Sequence, residues 1–133
     1  MRIIIAGSRG LSETDLELLD SAVKNSAFNI TCVISGTARG ADRLGEKWAQ
    51  QHQIPIERYP ADWKLHGRKA GFLRNEQMAK AADGLIALWD GESRGTQHMI
   101  ALAKRYQLAV HVELCKTAPK KITKSTKSSS KRL

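Results

Sequence analysis

The stretch Arg2-Ile-Ile-Ile-Ala-Gly7-Ser8-Arg9-Gly10 joins a short apolar run to a glycine-rich turn. The apolar half predicts a buried strand, and the Gly-Ser-Arg-Gly half predicts a tight loop into the next element. The same order, an apolar run and then a glycine-rich turn containing Arg-Gly, returns after residues 30–35 and 84–89. Runs made almost entirely of Ile, Val, Leu and Ala are typical of parallel strands covered by helices on both faces.

The sequence contains five short apolar runs in all, and helical patterns separate them. The predicted strands are residues 2–6, 30–35, 54–59, 84–89 and 108–114. The third run contains Pro55 and is more polar, which predicts a position at the sheet edge. Ser12 and Asp15 form a capping-box pattern before the first helix. The later helices are centred on residues 41–48, 73–82 and 99–106. This alternation predicts an α/β fold, a Rossmann-like doubly wound, mainly parallel five-stranded sheet with helices on both faces.

Size and composition fit one domain, with 133 residues and a mass of 14.7 kDa. A chain of this length buries enough surface to fold without disulfides or metal. We expect no membrane contact, because no apolar run approaches the roughly 20 residues of a membrane helix. Only two cysteines, Cys32 and Cys115, argue against a disulfide scaffold and favour a cytoplasmic location. The four histidines show no metal-ligand spacing, so neither a metal nor a cofactor is predicted.

The net charge of +9 is concentrated at the end of the chain. Residues 116–133 contain six Lys and one Arg with no acid, which leaves residues 1–115 nearly neutral. So polar a segment cannot bury enough surface to offset its ordering entropy. We therefore predict one domain at residues 1–115 and a disordered basic tail at 116–133. The tail would be a solubilising extension, or would attract nucleic acid weakly in a salt-sensitive way.

Three predicted loops bring the same chemistry to the carboxyl ends of the strands, where doubly wound sheets bind ligands. Glycine lets the backbone approach an anion closely, helix starts offer free N–H groups, and the loops add hydroxyl and arginine donors. This pattern favours a phosphate or nucleotide ligand. Neither G-x-x-x-x-G-K-[ST] nor G-x-G-x-x-G is present, which disfavours a P-loop ATPase and a nicotinamide dehydrogenase. The candidate ligand-binding residues in these loops are Gly7, Ser8, Arg9, Gly36, Thr37, Ala38, Arg39, Gly40, Asp42, Asp90, Gly91, Ser93, Gly95 and Thr96.

Five motifs in order carry a family resemblance. They are Ala-Gly-Ser-Arg-Gly at residues 6–10, Ser-Gly-Thr-Ala-Arg-Gly-Ala-Asp at 35–42, Tyr-Pro-Ala-Asp-Trp at 59–63, Ala-Gly-Phe-Leu-Arg-Asn-Glu-Gln-Met at 70–78 and Trp-Asp-Gly-Glu-Ser-Arg-Gly-Thr-Gln-His-Met-Ile at 89–100. Together they make residues 1–115 resemble the YspA-type, cpYpsA-related family of the SLOG superfamily. The resemblance implies a Rossmann-like fold whose glycine-rich loops bind nucleotides or nucleotide-derived ligands, and it suggests a homodimer. The superfamily includes lonely-guy phosphoribohydrolases, a DNA-processing protein that acts on single strands, and sensors of NAD-derived signals.

The resemblance also bears on catalysis. Lonely-guy enzymes carry Pro-Gly-Gly-x-Gly-Thr-x-x-Glu, whose glutamate serves catalysis, and an arginine on a preceding helix. Here Gly95 and Thr96 match that loop, but Met99 stands at the glutamate position. A thioether cannot act as an acid or a base, so that hydrolysis mechanism is in doubt. Arg74 matches the arginine and would clamp a phosphate, and it remains a catalytic candidate.

Other side chains have both a chemical and a structural interpretation. Asp90 ends the fourth predicted strand and is a catalytic candidate, or it orders its own loop. Asp42 lies in the first turn of a predicted helix. It is either an acid of the site or a charge that stabilises the start of the helix. Asn75 would contact a base or ribose, or hold a neighbouring loop. Further candidate acids are Glu76 and Asp62.

Three functions stay open at this stage. The favoured one is binding of a small nucleotide or nucleotide-derived ligand, of ADP-ribose or nucleoside-phosphate type, by a sensor or sequestering protein. The second is an N-glycosidic nucleotide hydrolase that uses a different acid. The third is a single-stranded nucleic-acid binder, in which Trp63 and the cations near it would stack bases and contact phosphates. Alternatively, residues 59–69 form a surface loop in which Trp63 packs against the loop's own residues and binds no nucleic acid. Cys32, Trp48 and Trp89 are predicted core residues.

Overall fold

The protein is described here by a computed structural model that covers residues 1–115. The predicted disordered tail, residues 116–133, lies outside the described residues. The strands are β1 (Arg2–Gly7), β2 (Cys32–Ser35), β3 (Ile56–Arg58), β4 (Gly84–Trp89) and β5 (Ala109–Leu114). The helices are α1 (Leu16–Ser26), α2 (Ala41–Gln51), α3 (Trp63–His66), α4 (Ala70–Ala81) and α5 (Arg94–Arg105), with 3-10 turns at Glu13–Asp15 and Gly67–Lys69.

All five strands run parallel in the order β3-β2-β1-β4-β5. The chain first builds outward from β1 to β3 and then crosses back to place β4 on the other side of β1. The order therefore switches between β1 and β4, which is where such sheets leave a crevice for ligands. The predicted α/β architecture is confirmed, and the Pro55-containing run does form an edge strand.

The sheet is buried on both faces because residues of β1 alternate between two apolar clusters. Ile3 and Ile5 pack with Leu19 and Trp48, from α1 and α2, on one face. On the other face, Ile4 packs against residues of α4 and α5. Each fully buried side chain of this size contributes about 1.5–3 kcal/mol. The continuous apolar composition of β1 is thus explained by two covered faces.

Several local predictions differ from the structure. The second strand begins at Cys32 rather than residue 30, and α4 begins at Ala70 rather than residue 73. The short α3 was not predicted, because its four residues are exposed and too few to show a helical apolar periodicity. Cys32 and Trp89 are only partly buried, since each lies at one end of its strand. Trp48 is buried as predicted.

Candidate functional site

Ser8 ties together the elements that meet beyond the carboxyl ends of β1 and β4. Its N–H donates to the Leu88 carbonyl oxygen at 3.0 Å, and its own carbonyl accepts from the Ala41 N–H at 3.2 Å. Its side-chain oxygen accepts from the Asp90 N–H at 3.2 Å. Ser8 is 1% exposed, so this residue acts as an internal connector between the loops and the start of α2.

Gly40 brings the start of α2 against the loop after β1. Its φ is +78°, in the region that favours glycine. A Cβ here would overlap the Ser8 carbonyl oxygen and lie 2.5 Å from the Arg9 Cα atom. The loop after β2 can therefore close onto the loop after β1 only because this position has no side chain.

A cleft of about 250 Å³, here called the first cleft, opens above this junction. It lies at the strand-order switch, between the β1 and β2 loops on one side and helices α4 and α5 on the other. Its lining combines arginine, hydroxyl, amide and carboxylate groups over an apolar floor. The lining residues are Ala6, Gly7, Arg9, Ala38, Arg39, Asp42, Arg74, Asn75, Met78, Ser93, Gly95, Thr96 and Met99.

A second cleft of about 290 Å³ adjoins the first. The two share four residues, Arg9, Ala38, Arg39 and Arg74. The second cleft is lined by Arg9, Gly36, Thr37, Ala38, Arg39, Arg43, Pro60, Ala61, Trp63 and Arg74. The shared arginines therefore lie at the boundary between two continuous concave surfaces.

Ten of the predicted ligand-binding residues line the first cleft. They are Gly7, Arg9, Ala38, Arg39, Asp42, Arg74, Asn75, Ser93, Gly95 and Thr96. Gly36 and Thr37 line the second cleft. Ser8, Gly40, Asp90 and Gly91 line neither and lie in the supporting loops. The role of these residues in binding stays a prediction.

Arg74 is the best-anchored cation of the site. One guanidinium nitrogen donates to the Gly36 carbonyl oxygen, and Nε donates to Asn75 Oδ1 at 3.0 Å. Burial lowers the pKa of Arg74, while Asp42 opposes that effect. The guanidinium still remains charged at any physiological pH. α4 thus holds a fixed positive charge at the boundary of the two clefts.

Asp42 is a buried carboxylate in the first cleft, with 8% of its surface exposed. Burial raises its pKa to about 6, although the Ala38 N–H group and the Arg74 guanidinium both act in the opposite direction. The Ala38 N–H donates to Oδ2 at 3.1 Å. A Cβ on Gly36 would lie 2.7 Å from that same oxygen and 2.8 Å from Arg74 Nη1. The bare backbone of Gly36 therefore separates a carboxylate from a guanidinium.

Sequence reasoning missed His98, which lies on α5 behind the first cleft. Because Asn75 Oδ1 already accepts from Arg74, the amide nitrogen of Asn75 is the donor to His98 Nδ1, at 3.1 Å. Burial lowers the pKa of His98, which fits an imidazole nitrogen that accepts. The ring also packs edge-on against Phe72, with centroids 4.6 Å apart. A chain of contacts thus links α5 to Arg74, and no sequence spacing signals a contact between two helices.

The candidate acids other than Asp42 accept hydrogen bonds from groups of the protein itself. Asp90 accepts from the N–H groups of Glu92 and Ser93 at 2.8 and 2.9 Å, so its carboxylate orders its own loop. Burial alone would raise the pKa of Asp90, but these N–H groups hold it below its usual value. Glu76 accepts from the Tyr106 hydroxyl, and Asp62 accepts from the Leu65 N–H and caps α3.

Met99, at the position of the lonely-guy glutamate, lies in the floor of the first cleft and is 1% exposed. It belongs to the apolar cluster formed with α4 and α5. The position therefore faces the cleft as the motif implies, but it offers a thioether where those enzymes offer a carboxylate.

Arginines dominate the charge of both clefts. Arg9, Arg39 and Arg74 face one carboxylate, Asp42, in the first cleft. The second cleft adds Arg43 and contains no acid in its lining. Within residues 1–115, none of these four arginines forms an ion pair. The site thus carries an excess of positive charge that its own carboxylates do not neutralise.

Neither a metal-binding cluster nor a membrane-spanning helix is found in the described part of the chain. Among residues 1–115, no three His, Cys, Asp or Glu side chains are grouped to hold a metal ion. Over the same residues, none of the helices combines the length and the apolar character needed to cross a membrane.

Known proteins resemble this chain in sequence and in fold. A sequence model of the YspA, cpYpsA-related SLOG family matches residues 1–66. The Gene 61 protein of Mycobacterium phage D29 is 35% identical over 117 residues, covering 82% of this chain and 93% of that protein. The X-ray structure of DNA processing protein A from Streptococcus pneumoniae superposes on 84% of the chain with a TM-score of 0.64 and 15% identity. This chain spans about half of that protein's length (49%). The resemblance carried by the five motifs is thereby confirmed, and the chain belongs to the YspA, cpYpsA-related SLOG family.

Proposed function

We propose that this protein binds a small phosphate-bearing, nucleotide-type ligand in the first cleft and acts as a sensor or sequestering protein. The observation that carries the proposal is the convergence of three glycine-rich loops on one cleft whose arginines have no carboxylate partner of their own. An anionic ligand would supply the missing negative charge. The family and its Rossmann-like fold support a ligand related to nucleotides, and the cleft supports a small one.

The start of α5 is the expected phosphate position. Ser93 caps this helix, and its side chain accepts from the Thr96 N–H at 3.4 Å. The first turn of α5 contains no acid, so its N–H groups and the helix dipole favour an anion. Gly95 leaves the space above this turn open, since no atom apart from its chain neighbours and the backbone of its own helix lies within 4 Å of the point where its Cβ would be. Arg74 stands across the cleft as a second, rigid partner for the same anion.

Binding is preferred to hydrolysis because the residue at the catalytic position is Met99. Its buried thioether can neither donate nor accept a proton in a cleavage step. Gly95 and Thr96 match the loop of the lonely-guy hydrolases, whereas Met99 stands where those enzymes have the glutamate that serves catalysis. We expect a sensor to have a cleft that binds the ligand but lacks this glutamate.

Hydrolysis of an N-glycosidic bond stays the second candidate, and Asp42 is the observation that favours it. Its carboxylate lines the first cleft, and its raised pKa of about 6 would let it hold a proton near neutral pH. Such a group can act as a general acid. Release of free base from a nucleoside monophosphate, abolished in Asp42→Asn, would identify this activity. Retention of intact ligand would support the sensor.

The test of the proposed function is equilibrium binding by calorimetry, with nucleoside monophosphates, nucleoside diphosphates and ADP-ribose as ligands. Gly95→Leu should abolish binding, because the new side chain fills the cleft above the start of α5 without displacing a protein atom at Cβ. The matched control is Arg105→Ala, at the other end of the same helix, which removes a positive charge far from the cleft. We expect Arg105→Ala to bind like the parent protein and both variants to unfold at the parent temperature or close to it.

Two results would refute the proposal. One is failure of every ligand in the panel to bind, and the other is equal binding by the Gly95→Leu variant. Binding of a single-stranded oligonucleotide alone, with a steep loss on adding salt and on removing residues 116–133, would instead favour the nucleic-acid function.

Cellular location and assembly complete the proposal. Two free cysteines, Cys32 and Cys115, fit a reducing cytoplasm. The homodimer is expected from the family resemblance and is tested by light scattering of the purified protein.

A further inference from the structure

The second cleft combines four arginines with one large exposed aromatic ring. Its lining includes Arg9, Arg39, Arg43, Arg74 and Trp63, and contains no carboxylate. The Trp63 side chain is 55% exposed. The exposed indole therefore offers a flat apolar surface beside several guanidinium groups. The lining of the second cleft therefore suits a ligand in which an aromatic group is joined to negatively charged groups.

Trp63 and Arg74 approach each other at the first turn of α4. A Cβ on Gly71 would lie 3.5 Å from Trp63 Cη2 and 3.8 Å from Arg74 Nη2. One edge of the indole and one guanidinium nitrogen of Arg74 therefore border the same space at Gly71. Asp62 holds the ring's own turn in place by accepting from the Leu65 N–H at 3.1 Å.

Trp63 has no role in the core that would explain it. Neither apolar cluster of the domain includes it, whereas Trp48 is buried in one and Trp89 packs against the other. Pro60 and Ala61 extend the apolar wall of the second cleft beside the ring. The Trp63 ring is thus a flat aromatic surface that faces the second cleft rather than the protein interior.

We propose that the second cleft is a base-binding subsite, in which a nucleotide base stacks on Trp63 while its phosphates lie on the arginines shared with the first cleft. This inference rests on the proposed function, and it narrows the ligand to a nucleotide that carries two or more phosphate groups. The four guanidinium groups and the single carboxylate, Asp42, leave three positive charges uncompensated. A diphosphate carries more of the matching charge than a monophosphate does.

The experiment measures dissociation constants of the four common ribonucleoside diphosphates and continues with the one that binds most tightly. That diphosphate, its monophosphate and inorganic pyrophosphate are then compared on the parent protein, Trp63→Leu and Trp63→Phe. Leu65→Ala is the control, since Leu65 is 72% exposed on the same short helix and lines neither cleft. Thermal unfolding of each variant shows that the fold is intact.

We expect the diphosphate to bind more tightly than the monophosphate. Trp63→Leu should weaken diphosphate binding at least about fivefold, the lower end for loss of one base–aromatic stack, and leave pyrophosphate binding unchanged. Trp63→Phe should restore most of the affinity, because a phenyl ring still stacks. Ligand binding should also change tryptophan fluorescence in the parent and not in Trp63→Leu, which keeps Trp48 and Trp89.

Diphosphate binding that does not depend on Trp63 would overturn the base subsite and leave the proposed function standing. An equal loss of diphosphate and pyrophosphate affinity in Trp63→Leu would do the same, because it would show a disturbed phosphate site rather than a lost stack. Monophosphate binding as tight as that of the diphosphate would overturn the two-phosphate ligand class. Failure of every nucleotide and of pyrophosphate to bind would overturn the proposed function itself.

Discussion

Replacement of Asp42 by asparagine separates the cost of a buried charge from the packing around it. Asparagine has nearly the same shape, and its side-chain oxygen can still accept from the Ala38 N–H. The substitution removes the ability to ionise and turns the second side-chain oxygen into an amide donor. Burial raises the pKa of the Asp42 carboxyl to about 6 from an ordinary 3.8, and the opposing effect of Arg74 is already contained in that value.

The sign of the effect follows from proton binding. Between about pH 4 and pH 6 the folded protein holds a proton on Asp42 that the unfolded chain has released, so the free energy of unfolding falls as the pH rises through this range. Above pH 6 both states are ionised and the cost is constant. The pKa difference corresponds to about 3 kcal/mol. We therefore expect Asp42→Asn to be more stable than the parent by up to about 3 kcal/mol at pH 7.5, and equally stable near pH 4.

The assay is urea unfolding followed by circular dichroism, at several pH values between 4 and 8, on both proteins. The difference between the two free energies of unfolding isolates Asp42, because all other titrating groups are common to both. A difference that stays constant over this range would refute the reasoning, since it would show that Asp42 is not held in an environment that disfavours its charge.

The remaining predictions concern packing at the helix–sheet contact and the loop connector. Gly45→Ala should lower the free energy of unfolding by about 1–3 kcal/mol in urea titrations, because the new Cβ would lie 2.8 Å from the Ile5 Cβ atom in the sheet. Gly71→Ala, whose Cβ would make only an ordinary 3.5 Å contact, should be as stable as the parent or more so, and equal losses in both variants would contradict the steric explanation. Ser8→Ala should cost about 1–3 kcal/mol, measured by the same titration, because it leaves the Asp90 N–H without its acceptor; an unchanged stability would show that another group replaces it.

The sequence predicts the sheet well because burial on both faces leaves a strong signal. The run at residues 84–89 coincides with β4, and the Pro55-containing run is the edge strand that its composition indicates. α3 lacks such a signal, since four exposed residues capped by Asp62 need no apolar periodicity. Helix ends are also weakly encoded, because Ala70 and Gly71 extend α4 by contacts that the local sequence does not reveal.

The candidate site could be predicted at the level of loops and only partly at the level of side chains. Glycine-rich turns after parallel strands must meet at one edge, so the convergence itself follows from topology. Which charged groups face the cleft depends on tertiary packing. Asp90 and Asp42 each had two interpretations in sequence, and the structure engages Asp90 in its own loop while it leaves Asp42 in the cleft. Arg94 precedes a glycine as Arg9 and Arg39 do, yet it lines neither cleft.

Met99 lies in the cleft floor and in the apolar core at once, and this double membership constrains how the protein can evolve. Arg9 and Arg39 are exposed at the rim and can be exchanged with little effect on folding, so ligand preference can drift there. A change at Met99 alters the ligand surface and the packing of two helices in a single step. Installing glutamate at this position would bury a carboxylate, so a variant that carries the lonely-guy glutamate would need stability gained elsewhere.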